Sequence, residues 1–291
     1  MELTSDQLSE LASIGIKAAT RAGEMIQSKA SRNHEVFHKQ DGNSLASQVV
    51  TAIDLESQRL ILETLNDTFK RFELGLLTEE SPDDSSRHQH DNFWCIDPLD
   101  GTLSFAKGTA GYAVSIALVS RHGNPLIGIV FDPDTSTLYH AIHKEGAQKN
   151  GKAWELPTPS SASPLTLMID NSFIVRANEP TFRDRLEAFV KQRGFPGTKI
   201  INHGGAVLNA CWVAERAPSL YFKLPKFNPG GGSLWDFSAT TCLFTELGLP
   251  ASDIHGAPLE LNPIGETYMN HKGILFASSS GLAEAAIDFF Q

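Results

Sequence analysis

The apolar residues of this chain change period, and that change limits what it can fold into. Behind a Thr4–Gln7 capping pattern, Leu8, Leu11, Gly15, Ala18, Ala22 and Met25 recur at helical spacing. After the polar stretch HKQDGNSLAS, Val49 and Val50 lead to Asp54, which reads as the N-cap of a second helix with Ile61, Leu65, Phe69 and Phe72 on one face. From Leu74 the pattern becomes short β-branched and aromatic runs, LGLL, FWCI, AVSIALV, LIGIVFD and TLYHAI, punctuated by Gly, Pro and Asp. These are strands, and Asn150-Gly151 marks a tight hairpin turn.

Pro and Ser crowd together at 156–164, LPTPSSASP, the best boundary between two patterned regions. Beyond it TLMI and SFIV read as strands, Pro180 to Arg193 as a helix, TKIIN as a strand, and Ala206 to Glu215 as a helix. SLYFKL is then a strand, Trp235 to Leu247 a helix, and KGILFAS a strand before a closing helix. Helices and strands interleave in both halves, without an internal repeat, so a layered α/β or α+β sandwich is expected, with lobes at 1–156 and 165–291.

With 291 residues, 41% of them hydrophobic, a large core can form. The formal charge of −10 and the lack of a basic stripe argue against a nucleic-acid polymer as partner. No apolar run approaches a membrane span, and the start MELTSDQLSE has no basic patch before an apolar stretch, so a cytoplasmic location is expected. Cys95, Cys211 and Cys242 lie far apart and form no CxxC pair; buried thiols are expected. His88 and His90 fall in the polar stretch SPDDSSRHQHDN, which reads as a solvated loop rather than a metal site.

Chemistry concentrates in Asp97-Pro98-Leu99-Asp100-Gly101-Thr102, directly after the strand FWCI. Pro98 fixes φ and Gly101 permits a sharp reversal, so the Leu99 carbonyl can turn in beside both carboxylates. Three oxygens from one loop suit a hard cation such as Mg²⁺. Asp-Pro and Asp-Gly are also ordinary turn formers, and DPLDGT could simply end a strand. The balance shifts because Glu79 and Glu80 follow the strand LGLL and Asp236 opens a helix after a Gly-rich loop. Acids gathered at element ends are costly unless cations lie between them. Asp54 is either a helix cap or a site residue, and Glu80 either a second acid or a solvated neighbour of Glu79.

WCIDPLDGTLSF resembles the signature of the inositol monophosphatase superfamily, and LWDFSATTCLFTELG its second signature. LLTEE and the upstream VVTAID stand in the family order, so the resemblance spans nearly the whole chain. It implies a five-layered αβαβα sandwich, a homodimer, and a Mg²⁺-dependent, often Li⁺-sensitive phosphatase using two or three ions. Carried onto this sequence, Glu79, Asp97, the Leu99 carbonyl, Asp100 and Asp236 become metal ligands, with Asp97 bridging two ions. Most of these ligands fall in the first lobe; Asp236 and the substrate contacts come from the second. Asp54 and Thr102, with Glu79, would orient and activate the attacking water. The amides of Gly101 and Thr102 would hold phosphate oxygens.

The substrate implied is a small phosphorylated metabolite. Inositol monophosphatases receive substrate hydroxyls on a carboxylate in the strand before the second signature, where this chain has Lys223 and no acid before Asp236. A cation there suits a second phosphate, and GAPLELNPIGETYMNHKGILFAS resembles the branch that removes the 3′-phosphate of adenosine 3′,5′-bisphosphate. Lys223, Lys226 and Arg176 are candidates for that phosphate or solvated surface charges, and Lys39 either reaches the site or stays solvated. Gly204-Gly205-Ala206 and Ser104 depart from the expected pattern, and Gly230 to Gly232 reads as a flexible connection. Inositol, sugar and histidinol phosphates remain alternatives. A dehalogenase-type phosphatase spaces its acids at i and i+2, not i and i+3. A phosphometabolite sensor on the same fold would usually lose part of the catalytic set, whereas Glu79, Asp97, Asp100, Thr102 and Asp236 are all present.

Overall fold

The computed structural model of the protein describes residues 3–37, 43–160, 162–170, 173, 179–226 and 232–291. Two long helices, α1 (Ser5–Phe37) and α2 (Asn43–Arg71), precede a seven-stranded sheet. Its strands are β1 (Leu74–Thr78), β2 (Asn92–Asp100), β3 (Ala113–Ser120), β4 (Pro125–Asp132), β5 (Thr137–Ile142), β6 (Gly146–Lys149) and β7 (Lys152–Ala153), adjacent in chain order. β1 and β2 run parallel and the other neighbours antiparallel. Short helices α3 (Ser86–Gln89) and α4 (Thr102–Ala106) flank β2.

The second sheet has the order β11-β12-β10-β8-β9, built from β8 (Leu165–Met168), β9 (Thr198–Ile201), β10 (Ser219–Lys223), β11 (Ala251–Ser252) and β12 (Ile274–Ala277). Four helices attend it: α5 (Pro180–Gln192), α6 (Ala206–Glu215), α7 (Leu234–Leu247) and α8 (Ser280–Phe290).

Three apolar clusters explain the stacking. Leu11, Ala22 and Leu65 of the first helix pair meet Trp94, Ile116 and Ile129 on one face of the large sheet. The other face and the small sheet share a core with Val207, Phe237 and Phe244 of α6 and α7. Phe189 of α5 and Leu282 of α8 close the far face of the small sheet on Leu167 and Phe222. The result is a five-layered αβαβα sandwich. β2 and β3 are covered on both faces, which is why FWCI and, apart from Ser115, AVSIALV are apolar instead of alternating.

The Thr4–Gln7 capping contacts are present, and Asn150 (φ 50°) and Gly151 (φ 73°) form the hairpin turn between β6 and β7. Two expectations need correction. Asp54 is not an N-cap: α2 begins at Asn43, so Asp54 lies inside the helix. The stretch around His88 is not a plain solvated loop, because it folds into α3 and buries Arg87 completely. Lys39, Arg176, Gly230, Gly231 and most of SFIV lie outside the described residues. No described helix is long and apolar enough to cross a membrane, and the three cysteines are buried free thiols.

Candidate active site

β2 delivers two carboxylates to one place by a defect. In a regular strand, residues three apart point to opposite faces. Here Asp97 pairs with Ser115 and Asp100 with Ala113, so β2 carries one extra residue, a bulge at Pro98-Leu99 that turns both acids the same way. Proline is tolerated because a bulge needs no ladder bond there. The Leu99 N–H donates to Asp97 Oδ1 at 3.0 Å, and the Ser57 hydroxyl of α2 donates to the Pro98 carbonyl at 2.7 Å, fixing the bend.

Asp236 arrives from the second lobe. It is buried at the start of α7, and its Oδ2 accepts the N–H groups of Gly232 (2.9 Å) and Ser233 (2.6 Å). Asp97, Asp100 and Asp236 each offer a carboxylate oxygen, and these atoms lie within 4.8 Å of one another. Among the described residues no other cluster of metal-ligating side chains is as tight.

Asp100 does a second job. Helix α6 has Gly205 as its N-cap and so no side-chain cap of its own; instead Asp100 accepts the N–H groups of Ala206 (3.1 Å) and Val207 (2.9 Å). A remote strand therefore caps this helix, and the positive end of the helix dipole faces the carboxylate.

Glu79 follows β1, its N–H bonded to the Ile96 carbonyl of β2, and its carboxyl is hydrogen-bonded to Asp97. Although the residue is open on one side, desolvation of the carboxyl, then the charges of Asp236 and Glu80, push Glu79 up to about 7 against the bond to Asp97. Burial, then Glu80 and Glu79, push Asp54 up to about 7 as well. Burial foremost holds Asp97 and Asp100 well above the usual carboxylate range, with neighbouring acids adding to it. Burial also raises Asp236, with Lys223 and the two N–H groups pulling it back.

Each ionised carboxylate buried without a partner costs on the order of several kcal/mol, more than one lysine returns to four acids. The donor set is all oxygen, buried at Asp97, Asp100 and Asp236 and open on one side at Glu79, and it is short of positive charge. It fits a hard divalent cation.

Asp54, Ser57, Gln58 and Ile61 share one face of α2. Gln58 accepts the Thr78 hydroxyl at 2.6 Å and donates to Ser81 at 2.9 Å, so this face grips the segments on both sides of Glu79. Polar residues at i, i+3 and i+4 on an otherwise apolar face were the signal that separates a site residue from a cap. Gly101 has φ 80° and precedes α4, with Thr102 exposed at its first position beside the acids.

A cavity of about 530 Å³ opens over the acids, lined by Thr102, Lys107, Asp170, His203, Lys223 and Asp236 among others. A hollow of about 730 Å³, lined by Leu8, Arg121 and His143, contains none of these acids. Lys223 does not stand there as a free cation. Its ammonium lies 2.9 Å from Asp170 Oδ2, and Asp170 Oδ1 accepts the Tyr221 hydroxyl at 3.1 Å. Burial alone would lower Lys223, but Asp170, Asp236 and Asp100 outweigh it and hold it above its usual value.

Asp170 was missed in the sequence because it lies just beyond β8, far from the recognised motifs. The parallel pairing of β8 with β10 brings it to Lys223. Ser104, one of the departures noted, is buried and donates its hydroxyl to the His203 carbonyl, tying α4 to the approach to α6.

The pattern that defines the Inositol monophosphatase family matches residues 7–290. The 3′(2′),5′-bisphosphate nucleotidase CysQ of Salmonella typhimurium is 30% identical over 263 residues, 87% of this chain and 94% of the relative. The Nus factor SuhB of Vibrio cholerae is 28% identical over 270 residues, 92% and 91% of the two chains. The structure of inositol monophosphatase from Anabaena (Nostoc) sp. PCC 7120 superposes with a TM-score of 0.68 at 22% identity, covering 97% of both chains.

Proposed function

Because the chain belongs to the inositol monophosphatase family and is a phosphatase, we propose that it hydrolyses adenosine 3′,5′-bisphosphate to AMP and phosphate with Mg²⁺ at its acidic cluster. The convergence of Asp97, Asp100 and Asp236 within 4.8 Å carries the reading, since a phosphate approaching those charges without a cation would be repelled. Glu79, Asp97, the Leu99 carbonyl, Asp100 and Asp236 would hold the ions. When bound, such ions supply Lewis-acid stabilisation of charge on the phosphoryl oxygens and acidify water.

The chain's own residues divide the remaining work. Thr102 and Asp54, with Glu79, orient the attacking water and activate it by accepting its proton. The backbone N–H groups of Gly101 and Thr102 at the start of α4 meet the phosphate oxygens. The cavity of about 530 Å³ is within the size range of small-ligand sites. Lys223 and Lys107 line it, the latter exposed. The CysQ relatives favour the nucleotide.

A second reading, a monophosphate of inositol or another polyol, draws on Asp170. Its carboxylate beside Lys223 offers an acceptor for hydroxyls and offsets the charge a second phosphate would need. Phosphate release from adenosine 3′,5′-bisphosphate and from inositol 1-phosphate, measured side by side with Asp97→Asn as the blank, tests both. Faster Mg²⁺-dependent release from the nucleotide is expected. Preference for inositol phosphate overturns the nucleotide reading alone, and release that survives chelation overturns the metal reading.

A further inference from the structure

Arg87 is 1% exposed, and no step of the proposed reaction uses it. It lies on α3, in the segment that joins β1 to β2, the strand that Glu79 follows and the strand that carries Asp97. Gly75 of β1 makes room for it: a Cβ at that position would lie 2.7 Å from the Ser86 carbonyl carbon and 2.9 Å from the Arg87 nitrogen. The guanidinium reaches across to the second lobe. Nε donates to Asp83 Oδ2 at 2.8 Å, Nη1 to Asn262 Oδ1 at 2.6 Å and the Pro263 carbonyl at 2.9 Å, and Nη2 to the Glu266 carbonyl at 3.0 Å.

A buried ion pair is a poor fastener where stability alone is at stake, because apolar residues of similar volume do as well or better. A planar fork with donors in fixed directions does something they cannot: it sets the position of what it grips. Here that is the segment 262–266. The residues that follow pair with the cap of α7: Leu234 N–H to the Thr267 carbonyl at 2.9 Å, Met269 N–H to the Gly232 carbonyl at 2.9 Å, and a bridge between Ser233 and Tyr268. Gly232 and Ser233 are the residues whose N–H groups hold Asp236.

An unbroken chain of contacts therefore runs from the β1–β2 connection through Arg87, the segment 262–269 and the α7 cap to Asp236. We propose that Arg87 is a positioning residue that sets the spacing between Asp236 and the carboxylates of the first lobe, and thereby the affinity of the site for divalent cation. This rests on the reading that those carboxylates hold metal. Residues that orient metal ligands typically change affinity by about ten- to a hundredfold when lost.

The test is direct Mn²⁺ binding to the full chain, followed by electron paramagnetic resonance, for the parent, Arg87→Met, Arg87→Lys, Asn262→Ala and, as a destabilised control away from the chain of contacts, Val190→Ala. Arg87→Met is expected to weaken Mn²⁺ binding about tenfold or more, with Arg87→Lys and Asn262→Ala in the same direction by less. Val190→Ala should lose thermal stability without losing affinity. Asn262→Ala keeps the test open if Arg87→Met does not fold. Unchanged affinity in the folded Arg87 and Asn262 variants, or equal weakening in Val190→Ala, overturns the assignment. Failure of the parent chain to bind Mn²⁺ overturns the metal reading and this inference with it.

Discussion

A Cβ at position 205 would lie 2.2 Å from Oδ2 of Asp100. The backbone there is ordinary, φ −64° and ψ 173°, so collision and not torsion excludes a side chain. Gly205→Ala is therefore expected to push Asp100 off the α6 N-terminus. Since alanine at an N-cap costs only about 1 kcal/mol by itself, the chain should still fold. Mg²⁺ titration of activity should show apparent affinity weaker by about tenfold or more. An unchanged titration curve would show that the carboxylate relocates without consequence.

Mg²⁺ should stabilise the fold. At a hundredfold excess over Kd, mass action adds about 2.7 kcal/mol, a rise in Tm of roughly 4–5 °C for a chain of this size. Asp97→Asn should abolish that rise. Without metal the same variant should melt higher than the parent, because it removes an acid crowded by Glu79, Asp100 and Asp236. Differential scanning calorimetry with and without Mg²⁺ reads both effects.

Asp54 and Glu79 sit at about 7 in the folded chain against ordinary values of 3.8 and 4.5. Below about pH 4 both folded and unfolded chains hold these protons, and the stabilising contribution is fully present. As pH rises through about 7, the folded chain must give them up where the unfolded chain already has, so the contribution is lost. The Tm of the metal-free protein is expected to fall between pH 4.5 and 7.5. Mg²⁺ affinity should rise across the same window because binding displaces protons. A flat Tm profile would contradict the crowding of these acids.

Asp170 masks the charge of Lys223. Asp170→Asn should lower KM for adenosine 3′,5′-bisphosphate and raise it for inositol 1-phosphate, while Lys223→Met should raise KM for the nucleotide about tenfold, the scale of one charge-assisted contact. Equal KM changes for both substrates would place the pair outside substrate recognition.

Much of this was legible in advance. The span of α6, Ala206 to Glu215, followed from apolar content and flanking turn residues, and the strand runs followed from β-branched residues between Gly, Pro and Asp. The start of α2 was missed because Asp41-Gly42 and the polar residues around it read as a loop and Asp54 is an acceptable cap in isolation, although Leu45, Val49 and Ile53 already stand at helical spacing. Arg87 read as surface because its neighbours are polar; its burial depends on acceptors at 262–266.

By itself the sequence determined the chemistry available: hard oxygen ligands set at strand and helix ends, a period that demands layered helices and sheets, and a family signature in order. Only the tertiary structure decided which of those groups meet. Asp100 caps a helix that begins at residue 206, Lys223 finds Asp170 through strand pairing, and Arg87 reaches Asn262. Such pairings depend on sheet register and on how the layers pack. Local propensity and spacing carry no information about either.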